Sequence, residues 1–233
     1  MQEGEHILNP FNALGHQNFY EHNLDTCKYI SSCCTMAIME NKEQVIDAAQ
    51  RLGVFRPREI QATRRVLSEL VERGVLEKSG RGVYRLAGTE PSIHHSMVAA
   101  SARVPNGIIS LLTALRFHNV GTQNPHQVWI TIPLRAHKPN IDYPSLRIIR
   151  ASGKSYSNEI QYHEIEGRKI PIYSLEKTIV DCFKYRNKVG LDVALEALKE
   201  AWAARKINLE TLWKAAAVCR VSNVMRPYLE AIQ

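Results

Sequence analysis

The sequence predicts an α+β protein: an N-terminal winged helix-turn-helix, followed by a mixed α/β domain that ends in a helical bundle. Apolar residues recur at helical spacing between residues 41 and 73, and two short strand-like segments joined by glycines follow them. Apolar and polar residues alternate in several stretches between residues 127 and 173, and helical spacing returns from residue 174 onward. The 233 residues are 45% hydrophobic and 23% charged, which excludes wholesale disorder.

Residues 1–38 show no lasting helical or strand period, and we predict that they form a disordered extension. The alternative is a metal site built from the histidines and cysteines of this segment. Their spacing matches no Cys-x-x-Cys pair, and adjacent cysteines cannot easily both ligate one ion, so we predict no metal. The side chains concerned are His16, His22, Cys27, Cys33 and Cys34.

Residues 39–88 are predicted to form the winged helix-turn-helix. The first helix carries one apolar stripe and ends at Gly53. Pro57 suits the first turn of a short second helix, and a third helix is expected over residues 63–73. Residues 79–82 include two glycines and are expected to form the turn between two short strands. The first apolar stripe consists of Val45, Ala48, Ala49 and Leu52.

The third predicted helix buries one apolar stripe and leaves polar and basic side chains on its opposite face. A helix fits the major groove of DNA, where an arginine can donate two hydrogen bonds to a guanine. The turn between the strands can reach phosphates or the neighbouring minor groove. Because winged helices also serve as protein-docking modules, docking without a DNA site is the alternative. The candidate DNA-binding residues are Arg58, Thr63, Arg64, Arg65, Ser68, Lys78, Arg81 and Arg85.

Residues 89–233 are predicted to form the second domain. Glu166 and Gly167 suit a hairpin turn between its last two strands. Ser174, Asn208 and Asn223 are each expected to begin a helix of the closing bundle. The predicted helices before the bundle cover residues 92–100 and 107–118, and the predicted strands cover residues 127–133, 146–150, 160–165 and 168–173.

No familiar motif for catalysis or cofactor binding occurs in the sequence. The GxxxxGK(S/T), GxGxxG, HExxH and GxSxG patterns are all absent. Glu164 and Glu166 form a paired-carboxylate pattern, but their place at a hairpin tip beside Arg168 favours a solvated surface. Cys182 and Cys219 lie in apolar settings, which favours core thiols over nucleophiles. We therefore predict neither an enzyme nor a cofactor.

Charge is distributed unevenly along the chain, which carries 30 Lys and Arg against 23 Asp and Glu. Residues 1–40 hold one basic and five acidic residues, whereas residues 41–88 hold ten basic and six acidic ones. Residues 91–158 hold seven basic residues against one acidic residue. Two basic regions in tandem indicate a polyanionic partner, and a solvated surface with spare Lys and Arg is the alternative.

The expected cellular compartment is inferred from the length of the apolar runs and from the number and spacing of the cysteines. The best apolar run, residues 107–115, is too short to span a bilayer, and no secretory signal is visible. The five cysteines are odd in number and too scattered for a disulfide framework. We therefore expect a cytoplasmic protein with reduced thiols and no membrane partner.

Four segments occur in a characteristic order: RGVLEKSGRGVYRL at residues 73–86, VPNGIISLLTAL at 104–115, HQVWITIP at 126–133 and IYSLEKTIVDCFKYRNKVG at 172–190. Together they resemble the AbiEi family of bacterial antitoxins, in its transcriptional-regulator branch. The resemblance covers the chain from residue 41 to the end and is most specific in the last segment. Residues 1–38 match no part of it.

The resemblance implies a two-domain antitoxin. Its winged helix would bind double-stranded operator DNA and repress its own operon, and an oligomer on DNA is compatible with this role. The C-terminal domain would counteract a partner toxin of the AbiEii nucleotidyltransferase type, by direct binding or functionally. Basic residues of the most specific segment are the candidates for the partner surface, with a solvated helix face as the alternative. They are Lys177, Lys184, Arg186 and Lys188.

Overall fold

The structure is a computed structural model that describes residues 42–90 and 92–232. The predicted extension over residues 1–38 and the alternative metal site within it lie outside the described residues. The described chain is α+β, with ten α-helices and two sheets. Within these described ranges, no cluster of three or more His, Cys, Asp or Glu side chains is arranged to hold a metal ion.

The first elements of the described chain are two α-helices, a short 3-10 helix and a hairpin. They are α1 (Lys42–Leu52), the 3-10 helix (Pro57–Glu59), α2 (Arg64–Glu72), β1 (Leu76–Gly80) and β2 (Val83–Leu86). Thr63 caps α2, because its hydroxyl accepts a hydrogen bond from the amide of Val66 at 3.4 Å. The predicted hairpin is confirmed, since β1 and β2 pair antiparallel with Leu76 opposite Leu86.

A small apolar core holds these N-terminal elements together. Val45 of α1 packs with Leu67 and Leu70 of α2, and all three are at most 2% exposed. Phe55 is fully buried and its backbone pairs with Tyr84 of β2, which ties the segment after α1 to the hairpin. Full burial of one such side chain contributes roughly 1.5–3 kcal/mol, so this core fixes the orientation of α2.

The second part of the chain is built on a five-stranded mixed sheet with the strand order β5-β4-β3-β7-β6. The pairs β4–β5 and β3–β7 are parallel, and β3–β4 and β6–β7 are antiparallel. Apolar side chains of the sheet and of α3 share one core. The elements are α3 (His95–Arg103), β3 (Ile108–Ile109), α4 (Leu111–Phe117), β4 (Val128–Pro133), β5 (Leu146–Ala151), α5 (Lys154–Ser157), β6 (Ile160–Ile165) and β7 (Arg168–Tyr173).

The middle strand of this sheet corrects one sequence prediction. The sequence predicts a single helix over residues 107–118, but Ile108 and Ile109 form β3 and the helix begins at Leu111. Ile109 is fully buried and pairs with β4 on one side and β7 on the other. A short apolar run fits a buried strand as well as a buried helix, so its neighbours in space decide its conformation.

A group of helices follows the sheet and supplies the largest apolar core. Two of the predicted caps are confirmed, because the side chains of Ser174 and Asn208 accept hydrogen bonds from the amides of Lys177 and Thr211. The prediction for Asn223 is wrong, because the last helix begins at Ser222 with Val221 at its N-cap, which places Asn223 inside the helix. Among the described residues, no helix combines the length and the apolar character needed to cross a membrane. The helices are α6 (Leu175–Lys184), α7 (Arg186–Val189), α8 (Leu191–Ala203), α9 (Leu209–Cys219) and α10 (Ser222–Glu230).

Candidate nucleic-acid interface

Helix α2 divides its side chains between a buried face and an exposed face. Val66 and Leu67 lie in the core, at 7% and 1% exposure, whereas Arg64, Arg65 and Ser68 are exposed. Over residues 42–90 and 92–232, neither arginine takes part in an ion pair. Both residues are exposed, and each guanidinium offers a planar set of donors.

The tip of the β1–β2 hairpin carries two further exposed cations, Lys78 and Arg81. Gly82 follows Arg81 at φ +70°, a conformation that glycine adopts without steric penalty. The pairing register shifts between Lys78 and Gly80, and an irregularity of this kind redirects side chains at the end of a hairpin. The hairpin thus presents two positive charges close in sequence to each other.

The remaining candidate residues differ in how far they are engaged by the chain. Arg58 is exposed on the 3-10 helix. The hydroxyl of Thr63 is used as the cap of α2. Arg85 is half-buried and binds the carboxylate of Glu77 at 2.5 Å and the carbonyl of Thr89 at 2.7 Å. Thr63 and Arg85 are therefore held internally, whereas Arg58 is open to solvent.

Sequence reasoning missed a crowding of arginines beside the 3-10 helix. Burial lowers the pKa of Arg56, and repulsion from Arg58 and Arg103 lowers it further. Glu59 opposes this effect and Arg168 adds to it. Crowded cations favour the approach of an anion. Because Arg103 belongs to α3, only the tertiary structure brings it into this group, and no local sequence pattern could have identified it.

The structure shows that the expectation of an exposed Lys177 is wrong. The side chain is 1% exposed, and its Nζ lies 2.5 Å from a carboxylate oxygen of Asp181. The same Nζ lies 4.3 Å from the centre of the Tyr173 ring. A charge partner one helical turn away and an aromatic face together make burial of a lysine tolerable, so this residue belongs to the interior.

The other three candidates for a partner surface lie where α6 ends and α7 follows. Lys184 is half-buried and donates a hydrogen bond to the hydroxyl of Ser155 at 2.6 Å. Arg186 is half-buried and donates to the carbonyl of Phe183 at 3.1 Å. Lys188 is exposed. Lys188 is thus the member of this group most open to a partner.

The tip of the β6–β7 hairpin corrects the expectation for Glu166. Its carboxylate accepts hydrogen bonds from the amide of Ser92 at 3.0 Å and from Nδ1 of His95 at 3.1 Å, and its side chain is 18% exposed. Burial would raise the pKa of Glu166, but these hydrogen bonds outweigh it and lower the pKa. Glu166 is therefore a packing contact of the hairpin tip, whereas Glu164 is exposed.

The two predicted core cysteines are confirmed. Cys182 is fully buried and Cys219 is 4% exposed. Burial raises the pKa of both thiols, and the nearby charge of Asp181 raises each further. Raised pKa values disfavour the thiolate form that a nucleophile requires.

Comparison with known proteins bears on the fold. No protein-family model matches the chain, and no curated protein matches it. The chain is similar in structure to the RV2827C protein from Mycobacterium tuberculosis, known from a crystal structure, with a TM-score of 0.52. The match covers 76% of this chain and 71% of that chain, at 14% sequence identity. At this identity the likeness concerns the fold alone.

Proposed function

We propose that the chain is an antitoxin and autorepressor. Residues 39–88 form a winged helix-turn-helix that binds the operator DNA of its own operon. Residues 89–233 counteract a partner toxin of the nucleotidyltransferase type. The chain itself is not an enzyme, acts without a cofactor, and works in the cytoplasm, where its operator lies.

The observation that carries the DNA-binding part is the exposed face of α2. Arg64, Arg65 and Ser68 point away from a core that holds the opposite face of the same helix. In a helix-turn-helix, residues at the start of the second main helix contact base edges in the major groove. Arg64 and Arg65 are the first two residues of α2, so their place in the helix suits this role.

Electrostatics around α2 supports the same proposal. Lys78 and Arg81 on the hairpin and Arg58 on the 3-10 helix are exposed cations. Contacts of this kind to phosphate fix the position of a protein on the duplex without reading its sequence. Arg56 and Arg103 extend the positive region, and attraction of both cations to a bound phosphate would offset their mutual repulsion.

The antitoxin part of the proposal is supported by the resemblance of residues 172–190 to AbiEi proteins. Lys177 is excluded from the partner surface, because it is buried. Lys184, Arg186 and Lys188 remain as candidates at the C-terminal end of α6 and on α7. Lys188 is the first choice for a charge contact with the toxin, since it is exposed.

The test is operator binding by the Arg64→Ala/Arg65→Ala variant of the full chain. A labelled duplex from upstream of the operon is titrated, and survival of cells that express the partner toxin is scored in parallel. Each bidentate base contact is worth about 1–3 kcal/mol, so we expect operator affinity to fall at least about tenfold while protection from the toxin persists. Arg226→Ala is the matched control, because Arg226 is also an exposed helical arginine but lies on α10.

Two results would contradict the DNA-binding part. One is an unchanged operator affinity in the double variant. The other is weak binding that is indifferent to DNA sequence, combined with a stable complex with a neighbour-encoded protein. That second result would identify the chain as a protein-interaction module.

A further inference from the structure

A basic cleft of about 550 Å³ opens where the sheet meets the helical bundle. Its wall includes Lys154 and Ser155 of α5, Lys184 of α6 and Arg220, which follows α9. No Asp or Glu among the described residues lines this cleft. Three cations without a lining carboxylate create a strongly positive potential inside a concave surface.

A hydrogen-bond network fixes the floor of this basic cleft. Nζ of Lys184 donates to the hydroxyl of Ser155 at 2.6 Å, and Sγ of Cys219 lies 3.7 Å from the same hydroxyl. The thiol of Cys219 donates in turn to Asp181, also at 3.7 Å. Because the hydroxyl accepts from Lys184, its own proton can be donated either to Sγ of Cys219 or to an anion in the cleft.

The buried carboxylate of Asp181, which accepts a hydrogen bond from Cys219, does not oppose an anion in the cleft. Asp181 is 3% exposed and is neutralised by Lys177, whose Nζ lies 2.5 Å away. The net charge around the cleft therefore comes from Lys154, Lys184 and Arg220. The buried Lys177–Asp181 pair is therefore neutral as a whole, and the wall of the cleft above it is positive.

The position of Arg220 is itself informative. Its backbone is left-handed, with φ +60°, at the C-cap of α9. Glycine is the residue that such a helix end favours, and another residue is held there at some cost in free energy. Arg220 is exposed and lines the cleft, so its guanidinium can contribute to the positive charge there.

We propose that the basic cleft binds the phosphate group of a small phosphorylated ligand, either a nucleotide or free phosphate. A guanidinium binds phosphate with two parallel hydrogen bonds, and ammonium groups and a hydroxyl complete the set of donors. The cleft also lies at the carboxyl end of β5, because Ser152 and Gly153 of its lining come directly after Ala151. The proposal is independent of the DNA-binding role of α2.

The test is calorimetric titration of the full chain with inorganic phosphate and, separately, with adenosine 5′-monophosphate. The variants are Arg220→Gly, which suits the left-handed backbone, and Lys154→Ala, with Lys214→Ala as an exposed-lysine control on α9. We expect each variant to weaken binding at least about tenfold, because a charge-assisted hydrogen bond is lost, while the control binds like wild type. Thermal melting of each variant establishes that the fold persists.

The two probes distinguish the sources of the phosphate. Tighter binding of the mononucleotide identifies a nucleotide ligand, and equal binding identifies free phosphate. The proposal is overturned if neither probe binds at about 10 mM, or if both variants bind like wild type. It is also overturned if the wild type binds neither probe and Arg220→Gly lowers operator affinity. That result would assign the cleft to DNA rather than to a small ligand, and the proposed DNA binding by α2 would still stand.

Discussion

The guanidinium of Arg168 binds the carboxylate of Glu59 through two hydrogen bonds, Nη2–Oε1 at 2.6 Å and Nη1–Oε2 at 3.1 Å. Nη1 also donates to the carbonyl of Val54 at 3.4 Å. Arg168 begins β7, and Glu59 ends the 3-10 helix that precedes α2. The pair therefore links the five-stranded sheet to the segment that positions α2.

We expect Arg168→Ala to lower the free energy of unfolding at pH 7 by about 1 kcal/mol, because the charge-assisted hydrogen bonds to Glu59 and Val54 are lost. Urea unfolding of Arg168→Ala, Glu59→Gln and the double variant forms a double-mutant cycle that isolates the coupling. Arg226→Ala controls for the loss of an exposed arginine. Strict additivity of the two single changes would show that the pair contributes nothing.

The contribution of this pair should depend on pH in a defined direction. Burial would raise the pKa of Glu59, but hydrogen bonds from Arg168 and the amide of Arg56 outweigh it and lower the pKa below the ordinary 4.5. A carboxylate whose pKa is lower in the folded state than in the unfolded state stabilises the fold fully at pH values above the unfolded-state pKa. This stabilisation is lost as the pH falls through the folded-state pKa. The difference between wild type and Arg168→Ala should therefore shrink below about pH 4.5. A difference that stays constant into acid would contradict this assignment.

Close backbone contact at the β6–β7 tip predicts an intolerance to alanine. A Cβ at position 167 would lie 2.4 Å from the carbonyl oxygen of Arg51, at the end of α1. Gly88 has nearly the same φ, +75° against +71°, and no described atom within 4 Å of its Cβ position. Gly88→Ala should lower the free energy of unfolding by about 1 kcal/mol, because alanine is strained in a left-handed backbone. Gly167→Ala should lower it by about 1–3 kcal/mol more, because the new Cβ would also displace the end of α1. Equal melting temperatures of the two variants would show that the contact is not close in solution.

The buried pair of Lys177 and Asp181 predicts an asymmetric response to substitution. Lys177→Met leaves the carboxylate of Asp181 buried without its partner, which should lower the free energy of unfolding by about 3–5 kcal/mol. The Lys177→Met/Asp181→Leu variant should recover most of this loss, because both charges are removed together. Lys214→Ala breaks an exposed pair with Glu210 and should leave the unfolding midpoint unchanged. A double variant no more stable than Lys177→Met would argue against an uncompensated charge as the cause.

Local signals in the sequence predicted two helix starts of the closing bundle and the first hairpin. The caps Ser174 and Asn208 follow from side-chain chemistry within three residues, and the hairpin turn follows from Gly80 and Gly82. These features are predictable because the atoms that decide them are neighbours in the chain.

Features that depend on distant neighbours were not predictable in the same way. Lys177 was expected on the surface, because lysine is rarely buried, and only the ring of Tyr173 and the carboxylate of Asp181 explain its place. Glu166 was expected in solvent, because its partners Ser92 and His95 lie far away in sequence. The positions of Lys177 and Glu166 both depend on polar partners that no local sequence pattern identifies.

The exposed hairpin cations predict how operator binding depends on salt. If Lys78 and Arg81 each neutralise one phosphate, each releases a counterion on binding, and removal of either should reduce the slope of log affinity against log salt by about 0.9. Lys78→Ala and Arg81→Ala should also weaken binding to operator and random duplexes alike, because phosphate contacts carry no sequence information. Fluorescence anisotropy over a range of salt concentrations measures both quantities, with Arg226→Ala as the control for net charge. An unchanged slope in both hairpin variants would place these cations away from the duplex.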